Sequence, residues 1–108
     1  MAAESFVRGF GAAHGLWRLG YDTAGSCVGI AVPDLGGDRW GPDIAYVGVL
    51  PEHRGRGYVD DLLVEATRLL AAAGAAEISA ATDAGNLPMA AAFSRCGYRV
   101  VDRLLVHV

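Results

Sequence analysis

The residues with the most chemical content lie in one run, Val49-Leu50-Pro51-Glu52-His53-Arg54-Gly55-Arg56-Gly57-Tyr58-Val59. Two glycines one residue apart permit backbone angles that a side chain forbids. Where such a turn opens a helix, its amides and the unpaired N–H groups of the first helical turn converge on one anion. The positive end of the helix dipole faces the same point. Arg54 and Arg56 supply guanidinium groups whose geometry suits phosphate oxygens. The chemistry implied is a cradle for a pyrophosphate. A P-loop does not fit, because it ends in Gly-Lys-Ser/Thr and the chain contains no Lys. The dinucleotide fingerprint GxGxxG does not fit either, since Asp60 stands where its third glycine would fall. Taken alone, the run is read equally well as a Gly-rich turn with solvated arginines.

The elements around the run decide between those readings. Ile44 to Leu50, just before it, reads as a strand apolar on both faces, as at the centre of a sheet. Just after it, Val59, Leu62, Leu63, Ala66, Leu69, Leu70 and Ala73 recur at helical spacing and form one apolar stripe, with Gly74 as the stop. Asp60, Asp61, Glu65 and Arg68 occupy the opposite face. Upstream, residues 2–11 read as the end of a helix weakened by Gly9 and Gly11. Leu16–Tyr21 and Ser26–Val32 read as two strands joined by Asp22-Thr23-Ala24-Gly25, a hairpin. Pro33–Pro42 is a loop. Downstream, Glu77–Thr82 reads as a strand, and a second helix starts at Asn86 or Leu87 with Pro88 in its first turn and Gly97 as its stop. Tyr98–Val108 reads as one final strand. The order is strand, strand, strand, helix, strand, helix, strand. It predicts an α+β fold: a mixed, largely antiparallel sheet with one parallel strand–helix–strand crossover of right hand. Residues 1–108 are expected to form a single domain, with no repeat and no linker.

In that setting, Val49-x-Pro51-Glu52-x-Arg54-Gly55-x-Gly57 resembles the acetyl-CoA signature of the GNAT superfamily of N-acetyltransferases. Asn86-x-x-Met89-Ala90-x-x-Phe93-x-x-x-Gly97-Tyr98 resembles the second conserved stretch of the same family. The likeness runs from about Leu16 to the C-terminus. It implies that the Ile44–Leu50 and Glu77–Thr82 strands splay apart and that the pantetheine arm of acetyl-CoA lies between them. It further implies that backbone groups of Val47 and Val49 meet the pantetheine amides, and that amides of Arg54, Gly55, Arg56, Gly57, Tyr58 and Val59 hold the pyrophosphate. Asn86 would sit near the pantetheine and Phe93 near the sulfur. The reaction implied is direct transfer of an acetyl group from acetyl-CoA to a primary amine on a small molecule or an amino group, without an acyl-enzyme. The family's opening strand and two helices have no counterpart in the sequence, so the sheet is expected to lack them.

Several residues depart from that pattern. Val59 carries a side chain where close backbone approach is usual, and Asp60 and Asp61 place negative charge in the first helical turn. Phe93 stands where many members carry a Tyr that protonates the leaving thiolate, and a phenyl ring cannot do this. Tyr46 and Glu52 are the candidates for moving protons, although a strand Tyr is ordinarily core and Glu52, like His53, ordinarily an exposed loop residue. His14 and His107 read as structural or solvated, and Trp17 and Trp40 as core packing. Cys27 and Cys96 lie in no CxxC and no Cys/His cluster, so they read as separate thiols and no metal site is expected. A second reading keeps the fold without the chemistry, as a CoA-binding, regulatory or structural subunit.

Composition bounds the rest. Apolar residues at 53% and charged residues at 19% suit a packed core. A net charge of −3 argues against nucleic acid as a partner. Every apolar run is broken well short of the ~18 residues a membrane helix needs, so no membrane partner is expected. Met1–Ser5 has no basic or long apolar stretch, which predicts a cytoplasmic protein without a signal peptide. Arginine without lysine suggests a GC-rich bacterial gene. An apolar edge left by the absent elements would favour a homodimer.

Overall fold

The computed structural model describes residues 9–12, 15–36, 42–82, 85–101 and 104–107. The strongest local signal, the apolar stripe, forms helix α1 (Tyr58–Ala72). Its Leu62, Leu63, Ala66 and Leu70 are fully buried against strands β3 (Cys27–Asp34) and β4 (Asp43–Val49). Removing a leucine side chain from water contributes about 1.5–3 kcal/mol, so this stripe anchors the helix more firmly than its intrinsic propensity does. Close approach is possible because β3 carries Gly29 beneath it. A Cβ there would overlap the carbonyl oxygen of Gly48 and come within 3.0 Å of Leu62 Cδ1. The helix closes in a Schellman motif: Gly74, at φ 100°, donates to Ala71, and the Ala75 N–H reaches the Leu70 carbonyl.

Helix α2 (Leu87–Arg95) closes in the same way, with Tyr98 N–H on the Phe93 carbonyl. The rings of those two residues also pack edge to face at 5.1 Å, the apolar contact that accompanies the motif. Both helices add to one core, which joins Ala31, Ile44, Val47, Ile78 and Ala80 of the sheet to Ala92, Phe93 and Tyr98. Tyr98 places its hydroxyl 2.6 Å from Thr67 Oγ1 on α1. Burial pushes the Tyr98 phenol up, and the bond to Thr67 partly offsets that shift.

The described strands form a seven-stranded sheet in the order β1-β2-β3-β4-β5-β7-β6. Here β1 is Gly9–Ala12, β2 Arg18–Tyr21, β5 Ile78–Ala80, β6 Arg99–Val101 and β7 Leu104–His107. All neighbours pair antiparallel except β4 and β5, which run parallel. The mixed sheet and its crossover match the fold read from sequence. The expected β2–β3 turn is present as well: Asp22 Oδ1 accepts the N–H groups of Ala24 and Ser26 at 3.0 and 2.9 Å, and Gly25 takes φ 85°.

Three expectations are corrected. The end of the segment expected as a helix over residues 2–11 is the edge strand β1, because its glycines weaken a helix while β2 offers a backbone ladder from Gly9↔Tyr21 to Ala12↔Arg18. The sheet edge thus carries a strand where none was expected, and among the described residues no helix precedes β4. The single final strand over 98–108 is two strands, β6 and β7, paired from Arg99↔Val106 to Val101↔Leu104. In sequence the charged pair 102–103 interrupts that run. Finally, β4 is central but not buried on both faces, for Ala45 is exposed and Tyr46 is 60% exposed. His14 and Trp40 lie outside the described residues.

Candidate active site

The site begins where a ladder stops. β4 and β5 pair only at Asp43↔Ser79, supported by the Ser79 N–H on the Pro42 carbonyl at 3.1 Å. Beyond that point the two strands diverge. From Ile44 to Val49 the edge of β4 turned away from β3 has no strand partner among the described residues. Backbone N–H and C=O groups on such an edge need partners from elsewhere.

A cavity of about 430 Å³ opens along this edge. Tyr46, Val47, Gly48 and Val49 of β4 form one wall. The loop contributes His53, Arg54, Gly55 and Gly57, helix α1 its first residues Tyr58 and Val59, and the start of α2 Asn86, Pro88 and Met89.

The loop is built to present backbone. Pro51–His53 forms a 3-10 turn, in which the His53 N–H meets the Leu50 carbonyl at 2.9 Å. Arg54 folds its Nε back onto the Val49 carbonyl at 3.0 Å and thereby ties the loop to the strand. Gly55 and Gly57 both adopt positive φ, 78° and 81°. Gly57 is the N-cap of α1 and has no side chain with which to satisfy the helix start. The first N–H groups of a helix have no carbonyl of their own to bond. Tyr58 and Val59 line the cavity, so the helix start and its dipole face a space where an anion would be favoured. At the other helix start, Asn86 Oδ1 accepts the Met89 N–H at 3.3 Å, so its side chain caps α2 while also lining the cavity.

Of the residues singled out in the sequence, Tyr46, Val47, Val49, Arg54, Gly55, Gly57, Tyr58, Val59 and Asn86 are brought together here. Arg56 and Glu52 are exposed and do not line the cavity. Phe93 does not reach it either: the residue is 2% exposed and its ring packs edge to face with Tyr98, so it is a core residue. His53 was expected to be an exposed loop residue. It is instead half-buried, with its ring centroid 6.2 Å from that of Tyr58 and its Nδ1 buried without a hydrogen-bond partner. Gly48, Pro88 and Met89 were not singled out for the cavity. Met89 could have been, since it sits three residues past the cap, on the same turn as Asn86.

A second cavity, of about 420 Å³, shares Tyr46, Gly48, Val49 and Arg54 with the first and extends to Leu19, Ile30, Leu50 and Pro51. Tyr46 stands at the junction. Its ring lies over Gly48, where an added Cβ would come within 2.6 Å of the hydroxyl oxygen. Both cysteines are free thiols. Cys96 is pushed up to about 11, by burial first and then by the negative charge of Asp60, so it is an unreactive thiol near neutral pH. Among the described residues no group of three or more His, Cys, Asp or Glu could hold a metal, and no helix is long and apolar enough to cross a membrane.

A splayed parallel strand pair with a glycine-lined helix start at its mouth offers a cleft for an extended, anionic ligand, and comparison with known proteins identifies the family. The model of the acetyltransferase (GNAT) family matches residues 4–98, and the chain belongs to that family. No curated protein matches closely enough in sequence to count as a relative. Solved structures do match in fold. Arabidopsis thaliana Naa50, in complex with the bisubstrate analogue CoA-Ac-MVNAL, superposes with a TM-score of 0.71 at 20% identity, over 86% of this chain and 72% of that one. An IAA acetyltransferase from Bacillus cereus gives 0.70 at 21% identity, over 80% of this chain and 56% of that one. A GNAT family N-acetyltransferase from Escherichia coli in complex with CoA gives 0.60 at 21% identity, over 84% and 57%. The chain thus spans between about half and three quarters of the length of these structures.

Proposed function

We propose that the protein is an N-acetyltransferase that uses acetyl-CoA as co-substrate and acetylates a primary amine directly. The observation that carries the proposal is the edge of β4, without a strand partner among the described residues from Ile44 to Val49, running into the Gly55–Gly57 helix start. It offers a ladder of backbone groups to the two amides of pantetheine and a cluster of N–H groups to the pyrophosphate beyond. In this reading Val47 and Val49 hold the arm through their backbone, Arg54 to Val59 hold the phosphates, and Asn86 closes the far wall. Two of the solved structures matched in fold were obtained with CoA or a CoA-derived analogue, which supports the same ligand here.

Transfer forms a C–N bond to the amine and breaks the thioester C–S bond. The amine must first lose its proton, and the sulfur leaves as a thiolate whose ordinary pKa, near 8.5, lets it depart without a strong acid. Phe93 takes no part in that proton traffic. Tyr46, which lines both cavities, is the proposed relay, and the second cavity the proposed approach for the acceptor.

Calorimetric titration with acetyl-CoA tests the proposal. Micromolar binding, about −8 kcal/mol, is expected. Free-thiol release on adding an amine then separates the enzyme from a non-catalytic CoA-binding subunit. Absence of binding at millimolar acetyl-CoA refutes the reading of the site.

A further inference from the structure

Asp60 lies in the first turn of α1, with its N–H on the Gly57 carbonyl at 3.1 Å. An unpaired carboxylate there would oppose an anion at the helix start. The structure shows it paired. Arg95, the last residue of α2, donates Nε to Asp60 Oδ2 and Nη2 to Oδ1, both at 2.9 Å. The next residue, Cys96, donates its thiol to the Asp60 backbone carbonyl at 3.7 Å. The end of α2 is thus fastened to the start of α1 through one residue. The two-pronged geometry is the strong form of a guanidinium–carboxylate contact, and it consumes both carboxylate oxygens. Nearby, Glu65 is held separately by Arg68 at 2.9 Å. Arg95 also faces the negative end of its own helix. It is therefore committed to these partners and does not line the cavity.

We infer that Arg95 is a positioning residue for the diphosphate of the co-substrate: acting through Asp60, it cancels the carboxylate charge at the head of α1 and keeps that helix end electropositive. The inference rests on the proposed acetyl-CoA site. An ion pair with side chains 54% and 32% exposed contributes little to folding, so its effect belongs in ligand affinity and not in thermal stability.

The test is the dissociation constant for acetyl-CoA of Arg95→Met, Arg95→Lys, Asp60→Asn and the Arg95→Met/Asp60→Asn pair, at about 0.05 and 0.5 M salt. A unit charge near a diphosphate, in a mostly aqueous dielectric and partly screened by salt, changes affinity by about three- to tenfold. Arg95→Met is expected to weaken binding by that factor at low salt. The deficit should shrink at high salt, where the screening length falls from about 14 Å to about 4 Å. Removing the carboxylate in the double variant should restore binding to within about twofold of the parent, and Arg95→Lys, which keeps the charge, should lose less than Arg95→Met. A deficit equal at both salt concentrations, or one that Asp60→Asn does not reverse, overturns the inference. Failure of the parent protein to bind acetyl-CoA overturns the site itself, a separate result. Melting temperatures of the same variants, expected to lie close together, show that lost affinity is not lost fold.

Discussion

Replacing Gly57 by Glu tests the cradle at its narrowest point. Gly57 sits at φ 81°, ψ 5°, a left-handed conformation that costs a residue with a side chain about 1–2 kcal/mol. That cost falls on folding and should lower the melting temperature by roughly 4–8 °C per kcal/mol for a domain of this size. The ligand meets a further cost. A carboxylate about 6 Å from a phosphate charge is repelled by about 3 kcal/mol at an effective dielectric constant near 20, and by about 0.7 kcal/mol in water. Summed over a diphosphate at a half-solvated helix start, about 2–4 kcal/mol is expected, which raises the dissociation constant by about 30- to 1,000-fold. Gly55→Ala is the control. Gly55 has φ 78° but no atom within 4 Å of an added Cβ, so it carries the strain without the charge. Calorimetry with acetyl-CoA and thermal unfolding, run on both variants, separate the two costs. A folded Gly57→Glu protein that binds acetyl-CoA within twofold of the parent would refute the assignment of the phosphates to this loop.

Three more outcomes follow from particular contacts. Gly29→Ala forces a methyl into the Gly48 carbonyl and Leu62, and should cost at least the 1–3 kcal/mol or so typical of overpacking; chemical denaturation checks this. Tyr46→Phe removes a hydroxyl at the junction of the two cavities and should lower kcat while leaving KM for acetyl-CoA within about twofold; an unchanged kcat removes Tyr46 from the proton path. Cys96 holds its proton more tightly in the folded state than its ordinary value of 9.0 allows, so the stability it contributes is complete below pH 9 and is lost as pH rises through about 11. Unfolding midpoints that fall over this window in the parent, and fall less in Cys96→Ala, are the expected result.

What was legible in the sequence was legible because it repeats locally. The stripe from Val59 to Ala73 needs only a 3.6-residue period to declare a helix and the face it buries. The caps, Asn86 at one helix start and Gly74 and Gly97 at the ends, are likewise written within four residues of where they act. The loop between β4 and α1 belongs to the same class, which is why most of the residues singled out for the phosphates and the pantetheine do line one cavity. Phe93 does not, because position in a motif specifies the backbone, whereas the direction of a side chain depends on what packs against it, and here that is Tyr98 in the core.

The features hidden from the sequence are all pairings between distant segments. β1 exists because β2 lies beside it; its own glycines weaken a helix without specifying a strand. β6 and β7 divide one apolar run because its two halves pair with each other and β7 also pairs with β5. The gap that makes the site, where β4 and β5 do not pair past Asp43, is implied in the sequence only through the family resemblance and by no local period. Asp60 shows the consequence most directly. Within its own helix it is a charge on the wrong side of an anion site, and thirty-five residues later Arg95 turns it into half of a neutral clasp. The electrostatics of the helix start are thus set by the docking of α2 as much as by the loop that carries the motif. A substitution at the far end of α2 therefore belongs to the binding site even though no ligand atom need touch it.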